Sequence, residues 1–404
     1  MLAEINIKRN SFDIPVLNGL DKGIRKYWFL LQPVIAVFAG WMSFQSNVLN
    51  YPIYESQRFI AAIVLLCWVW RSVKTKKAAW LTLFGWYLGA ASSIPSEWQV
   101  FFGNSWGWLG MIAFAAIAAI PVFVVPQRWI KFGLIPATFI TALSPIGMLT
   151  PWMAAFAFFP GFGWVGLFLS LVIQGLPAIK TEKDMVAVLI ALCFIGTVLN
   201  TNPKYSSTSP TAWGIQTYDG NKNNYIRQQN IQLAVRSNLT VGANLLLTPE
   251  GTVDDWGAYS KTIWQHIPVP DQSQVFIGAY LATPQGHQDG LVDISTGEFY
   301  PNTMPMIIGM WHPWSKEDHY PINLSSLTQT IQTKHGKAAY LICYEELLLW
   351  PLAGKMFMGH PNIILSAANQ WFTTRKTDIA QARSISLQSR LWGLPLVRAV
   401  NYRK

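Results

Sequence analysis

Between residues 27 and 199 the chain is a succession of apolar runs separated by short basic or proline-rich interruptions, a pattern that constrains its fold more than any other feature. A bilayer crossing takes about 20 mostly apolar residues. The runs at 27–45, 58–71, 79–95, 106–125, 132–149, 153–177 and 184–199 are the candidate spans, with Arg58 and Arg71 placed to snorkel from the ends of the second. Charged residues make up only 12% of the chain against a usual quarter or so. The 20 tryptophans suit boundaries between apolar and wet surroundings. A chain that is water-facing throughout is excluded on these grounds.

The net charge of +10 is concentrated in loops, at Lys8, Arg9, Lys22, Arg25 and Lys26, then at Arg71, Lys74, Lys76 and Lys77. Further basic residues fall at Arg128, Lys131, Lys180 and Lys183, whereas the alternate loops 46–57 and 96–105 offer Glu55 and Glu97 and, Arg58 being assigned to a span, no basic residue. The positive-inside rule then places 1–26 in the cytoplasm, and about seven spans put the remainder on the far side, the periplasm in a bacterium. No nucleic-acid motif accompanies the charge, so direct nucleic-acid binding is not expected. Nor does Met1–Lys26 read as a cleavable signal peptide. Pro145, Pro151, Pro160 and the glycines from 161 to 166 predict a kink or re-entrant turn in the fifth and sixth spans.

Residues 200–224 are rich in Ser, Thr, Asn and Pro and read as a linker, leaving 225–404 as a second, water-facing domain. Helical spacing occurs at 225–240, 346–358 and 377–393, and short apolar runs at 243–249, 274–281, 304–310, 338–343 and 361–367. Near-continuous apolar strands are buried on both faces, which predicts an α/β sandwich with helices outside.

Two chemically capable residues stand at the ends of such strands, Glu250 after LLLTP and Cys343 closing AAYLIC. A thiolate is a strong nucleophile, and a carboxylate within reach can take its proton and pass it to a leaving group. A strand-end cysteine is also commonly inert core and a Glu after Pro commonly a cap, so the residues alone leave both readings open. Cys67 and Cys193 lie inside apolar runs, and three cysteines make no disulfide framework. His312 and His319 lack the spacing and partners of a metal site, and neither a phosphate-binding loop nor a serine-nucleophile elbow is present. No metal or cofactor is expected.

The strings LLLTPEG, LICYEE, ANQWF and GLPLVRAVN, in that order, resemble the carbon–nitrogen hydrolase (nitrilase) superfamily. With a membrane half in front they are similar to its apolipoprotein N-acyltransferase group, and LICYEELLLWP and ANQWF look still more like the TraB branch of conjugal-transfer proteins. The resemblance implies a multi-pass helical membrane domain followed by a nitrilase-like α-β-β-α sandwich. It implies Glu250 as general base, Cys343 as nucleophile and the Tyr344 N–H as an oxyanion donor. Glu345 matches a structural acid, Asn369, Trp371 and Phe372 a pocket motif, and Arg398 and Asn401 the closing string of the fold.

The family's lysine is missing: the corresponding stretch reads YPNTMPMIIGM, with Asn302 or Thr303 in its place, and Lys316 in HPWSKED is the candidate substitute, with solvated surface as the other reading. The activity implied is N-acyl transfer through a cysteine thioester, from a phospholipid to an amine on an exported lipoprotein, in the bacterial inner membrane. The alternative is a membrane scaffold of the conjugation machinery with little or no catalysis. A transporter is a weaker third reading, because spans 27–199 hold few interior charges.

Overall fold

The computed structural model describes residues 15–46, 52–201, 211–220, 224–284, 286–307, 309–315, 319–373 and 378–403. The first part is helical, and its helices are α1 (Pro15–Phe44), α2 (Pro52–Arg71), α3 (Lys76–Ala90), α4 (Ile94–Phe102) and α5 (Gly107–Ala118). After these come α6 (Leu134–Ala142), α7 (Pro151–Ala154), α8 (Gly163–Ile173) and α9 (Glu182–Asn200).

These helices differ from the seven uniform spans read from the sequence. Among the described residues one helical stretch, Gly107–Val124, is long and apolar enough to cross a membrane, and Pro151–Phe158 with Gly163–Ile173 forms a pair bent by 118°. Proline is the physical reason, since it removes a donor and clashes with the preceding turn. The expected run 132–149 is helical only over Leu134–Ala142, and 153–177 is broken at Pro160 and Gly161, where the chain turns back as a re-entrant bend would. The outer faces of the helices are nonetheless apolar: Val34, Ile112, Val124, Phe168, Ile190 and Phe194 are exposed.

Buried indoles tie these helices together by donating to carbonyls of neighbouring segments. Trp70 Nε1 donates to Ile130 O at 3.0 Å, Trp86 Nε1 to Leu149 O at 3.0 Å and Trp152 Nε1 to Leu167 O at 3.0 Å. Helices α1 and α3 lie in closer contact than side chains permit: a Cβ on Gly89 would stand 1.9 Å from Val37 O, and one on Gly40 2.1 Å from Trp86 O.

The second part alternates strands and helices. The strands are β1 (Ala212–Gly214), β2 (Gln216–Thr217), β3 (Leu245–Leu247), β4 (Gln274–Thr283), β5 (Gly286–Asp293) and β6 (Phe299–Pro301), then β7 (Ile331–Thr333), β8 (Gly336–Ile342), β9 (Ile363–Gln370) and β10 (Leu396–Tyr402). Between them run α10 (Asn224–Thr240), α11 (Ala258–Gln265), α12 (Trp350–Gly359) and α13 (Ala380–Trp392).

They form two five-stranded sheets, ordered β1-β3-β4-β5-β6 and β2-β10-β9-β8-β7. Leu245, Leu247, Phe276 and Leu291 of the first pack against Tyr340, Ile342, Leu365 and Val400 of the second. Ile231 and Val235 of α10 and Trp264 of α11 cover the outer face of the first sheet. Leu352 and Met356 of α12 and Ile385 of α13 cover the second. The expected α-β-β-α layering is therefore present. The apolar run 304–310 is not a strand: beyond an isolated bridge from Ile307 to Trp311 it makes no ladder, and Met304, Met306 and Ile307 pack on Tyr344 and Leu348 instead. Apolarity there reports burial without strand pairing.

Substituting Gly89→Val is expected to force α1 off α3 and lower stability by about 1–3 kcal/mol or more, read as a fall in Tm of the purified protein.

Candidate active site

Strands β1, β3 and β4 run parallel to one another, as do β2, β10, β9 and β8, so functional groups gather beyond their carboxyl ends. Glu250 follows β3 in the turn Thr248–Gly251. Gly278 of β4 lets that turn close in, since a Cβ there would meet Pro249 O at 2.2 Å. Cys343 follows β8 directly and sits at φ +46°, the left-handed region that a cysteine rarely adopts. This sharp exit lifts its side chain out of the strand ladder, and a 3₁₀ turn over Cys343–Leu347 continues from it.

The two side chains meet. Glu250, 3% exposed, lies beside the Cys343 thiol and interacts with it. The Asn369 N–H donates to Glu250 Oε2 at 2.8 Å and the Tyr280 hydroxyl to Oε1 at 3.4 Å. A fourth group, the carboxyl of Asp289 on β5, also hydrogen-bonds Glu250. Burial raises the Glu250 carboxyl above the ordinary range, with the hydrogen bonds opposing that rise. Burial likewise pushes the Cys343 thiol well up, and the neighbouring Glu250 adds to the rise. The resting pair is thus a thiol next to a carboxyl group, not a preformed thiolate.

Two ionic systems hold the turn that follows Cys343. Glu345 Oε2 accepts the Ile342 N–H at 2.8 Å, and its Oε1 accepts those of Thr303 at 2.6 Å and Met304 at 3.1 Å. Burial raises the Glu345 carboxyl, opposed by the charge of Lys355 and by these N–H groups. Lys355 is itself fully buried and is lowered to about 8 by burial, against the pull of Glu345. Its ammonium donates to Ser326 O at 2.6 Å and Thr303 Oγ1 at 3.2 Å and lies 4.2 Å from the centre of the Tyr340 ring.

On the other side Arg398 grips Glu346 with two bonds of 2.7 Å and donates to Asp378 Oδ2 at 2.7 Å. Burial opposes the guanidinium charge, and the two carboxylates more than offset it. Asn401 Nδ2 donates to Asn369 Oδ1 at 2.9 Å, which braces the strand end whose N–H holds Glu250.

Cys343 and Tyr344 line a cavity of about 400 Å³ between the helical and α/β parts. Its wall is mostly apolar, with Ile94, Phe101, Phe114, Ile117, Met148 and Phe372 among the lining residues. Phe101 of α4 stacks on Trp371 with centroids 5.3 Å apart and meets Phe372 edge-on at 5.5 Å. The Tyr344 hydroxyl donates to Pro145 O at 2.9 Å, so the turn is tied to the helices.

Of the residues singled out in the sequence, Glu250, Cys343 and Asn369 come together, and Tyr344 and Phe372 share the cavity wall. Glu345, Arg398 and Asn401 lie behind as braces. Thr303 faces Lys355 and Glu345, and the Asn302 N–H donates to Asp289 O at 2.7 Å. Lys316 lies outside the described residues. Asp289, Tyr280 and Lys355 were not anticipated. Only Lys355 carried a signal, as a lone charge in the apolar helix WPLAGKMFMG. Among the described residues no three His, Cys, Asp or Glu side chains gather as a metal site would.

No protein-family model matches the chain. It is 25% identical over 361 residues to the probable conjugal transfer protein TraB of Sinorhizobium fredii, covering 82% of this chain and 90% of that protein. It is 25% identical over 374 residues to the conjugal transfer protein TraB of Agrobacterium fabrum, covering 82% and 85%. Among solved structures it is similar to an amidase from Nesterenkonia sp., with 14% identity and a TM-score of 0.33 over 47% of this chain and 74% of that one. A mutant of the Nesterenkonia AN1 amidase from the nitrilase superfamily gives a TM-score of 0.30 over the same shares, also at 14% identity.

Replacing Arg398 with Leu strands the buried carboxylates of Glu346 and Asp378 and is expected to destabilise the protein by about 3–5 kcal/mol. Denaturant unfolding of the purified chain measures it, with Arg398→Lys, which keeps the charge but loses the bidentate fork, falling between the two.

Proposed function

We propose that this chain is a membrane-embedded, cysteine-dependent acyltransferase of the carbon–nitrogen hydrolase type. The observation that carries the reading is the position of Cys343, with the Glu250 carboxyl on one side and a mostly apolar cavity on the other. A base held against a thiol suits acyl transfer, and an apolar cavity beside it suits a fatty acyl chain. The exposed apolar faces of the helices support a setting in the bacterial inner membrane, with the α/β part on the periplasmic side and a phospholipid as acyl donor.

In the first half-reaction the Glu250 carboxylate takes the proton from Cys343 Sγ, and the sulfur bonds to the ester carbonyl carbon. The tetrahedral oxyanion collapses, the ester C–O bond breaks, and the leaving alkoxide receives the proton from Glu250. A thioester remains on Cys343. In the second half-reaction an amine attacks the thioester carbon, Glu250 accepts an amine proton, and the C–S bond breaks. The departing thiolate recovers its proton from Glu250. An exported lipoprotein would supply the amine, and the Tyr344 N–H would serve the oxyanion. Lys316 is the candidate for a cationic donor in place of the missing lysine. No cofactor or nucleic acid takes part.

The relatives named as conjugal transfer proteins favour a second reading on the same chain, a scaffold within the conjugation machinery that does not depend on the thiol. Conjugation frequency separates the two: Cys343→Ala abolishes a chemical role and leaves a scaffold at native frequency.

For the chemistry itself, the purified full chain is incubated in phospholipid vesicles and the Cys343 peptide is examined by mass spectrometry. A fatty acyl adduct is expected on the native protein and none on Cys343→Ala. Absence of the adduct from native protein at every pH sinks the enzymatic reading. Because Glu250 acts as a base only when ionised and burial raises its pKa, adduct formation should rise with pH through a midpoint above the ordinary carboxylate range. In Glu250→Gln that rise is lost and the rate falls by about a hundredfold or more, the usual contribution of a positioned base.

A further inference from the structure

Asp289 is the buried group for which neither the sequence nor the mechanism above has a use. It lies within β5, is 1% exposed, and its Oδ1 has no hydrogen-bond donor in reach. An isolated carboxylate in that position is strongly unfavourable, so a buried acid either finds a cation or keeps its proton. The groups acting on it are acidic or neutral. Glu250 faces it from the turn after β3, Tyr280 stands opposite it in the β4–β5 register, and Glu345 acts from the nucleophile turn. Cys343 is close enough to feel both carboxyls, and Tyr320 packs on Tyr280 at 6.0 Å.

Two carboxyls side by side with one orphan oxygen need a proton between them, since neither ion can donate to the other. The neighbours say which partner carries it. Glu250 accepts the Asn369 N–H and the Tyr280 hydroxyl and has the Cys343 thiol beside it, as an anion would, whereas Asp289 has only the Gly290 N–H acting on it and its Oδ1 has no partner.

Resting on the assignment of Glu250 as the base, we propose that Asp289 is a positioning residue. It donates its carboxylic proton to Glu250 and so keeps Glu250 an oriented anion aimed at the Cys343 thiol. No bond other than hydrogen bonds changes at Asp289 during the cycle, and its proton stays with the pair. Its burial and the nearby Glu250 charge, which raise its affinity for the proton, agree with that role.

The test uses the full chain in detergent and iodoacetamide as the probe, with the Cys343 peptide quantified by mass spectrometry so that Cys67 and Cys193 do not interfere. Asp289→Ala removes a donor to a charged acceptor and should slow alkylation at neutral pH about tenfold or more. Glu250 then ionises less readily, so the midpoint of the pH profile moves upward by about one unit or more. Asp289→Asn supplies an N–H in place of the O–H and should rescue both rate and midpoint. If Asn behaves like Ala, Asp289 acts as a charge and the proposal fails. It fails equally if neither variant moves the midpoint.

Infrared difference spectra of native protein minus Asp289→Asn at neutral pH provide an independent check, available even if the Ala variant does not fold. They should contain the carbonyl stretch of a protonated carboxylic acid, and its absence overturns the proposal. Glu250→Gln separates the two levels. An unaltered profile there removes the base assignment itself, while loss in Glu250→Gln with no change in Asp289→Ala removes only the role of Asp289.

Discussion

A carboxylate and a thiol buried against one another are unfavourable in isolation, and much of the α/β part is arranged so that they can coexist. Glu250 is surrounded by donors from three separate strands: the Asn369 N–H at the end of β9, the Tyr280 hydroxyl on β4 and the Asp289 carboxyl on β5. Each is held by backbone ladders that span a sheet, so the donors are preorganised around the carboxyl. The parallel strand ends make this possible, because they deliver residues distant in sequence to one edge.

The turn at Cys343 is under a different constraint. Cys343 at φ +46° is a strained position, and such positions persist where the surroundings over-determine them. Here Glu345 ties the turn to the 303–304 segment, and Arg398 ties Glu346 to Asp378. The same turn reaches the helical part through the Tyr344 hydroxyl and the Pro145 carbonyl. Further contacts run between α13 and the helices: Arg383 donates to Ser46 O at 2.5 Å, Arg390 to Ser56 Oγ at 2.9 Å, and the Gly161 N–H to Arg390 O at 2.7 Å. The two parts therefore share one wall, and the cavity at Cys343 belongs to both.

What could be read beforehand follows the physics of each signal. The strands carrying Glu250 and Cys343 were legible because continuous apolar runs ended in Pro and in Cys. The run 304–310 was misread because apolarity reports burial and is silent on whether a ladder partner exists. In the helical part the apolar character was legible, but not where helices begin and end, since prolines at 121, 145 and 160 interrupt runs that composition alone would prolong. Asp289 was hidden in GHQDGLVD, where it looks like one of several polar residues on a half-exposed strand. Lys355 was visible as a lone cation, but its partners at Thr303 and Ser326 were not.

Sequence by itself determined the division into an apolar helical part and an α/β part, and the types of group available for chemistry, because both follow from local composition and periodicity. Tertiary structure alone decided that Glu250 has a second carboxyl beside it, that Thr303 faces Lys355, and that helices α4 and α5 complete the wall at Cys343. Those outcomes depend on contacts between residues tens to hundreds of positions apart, where sheet register and helix packing, not local preference, set which side chains meet.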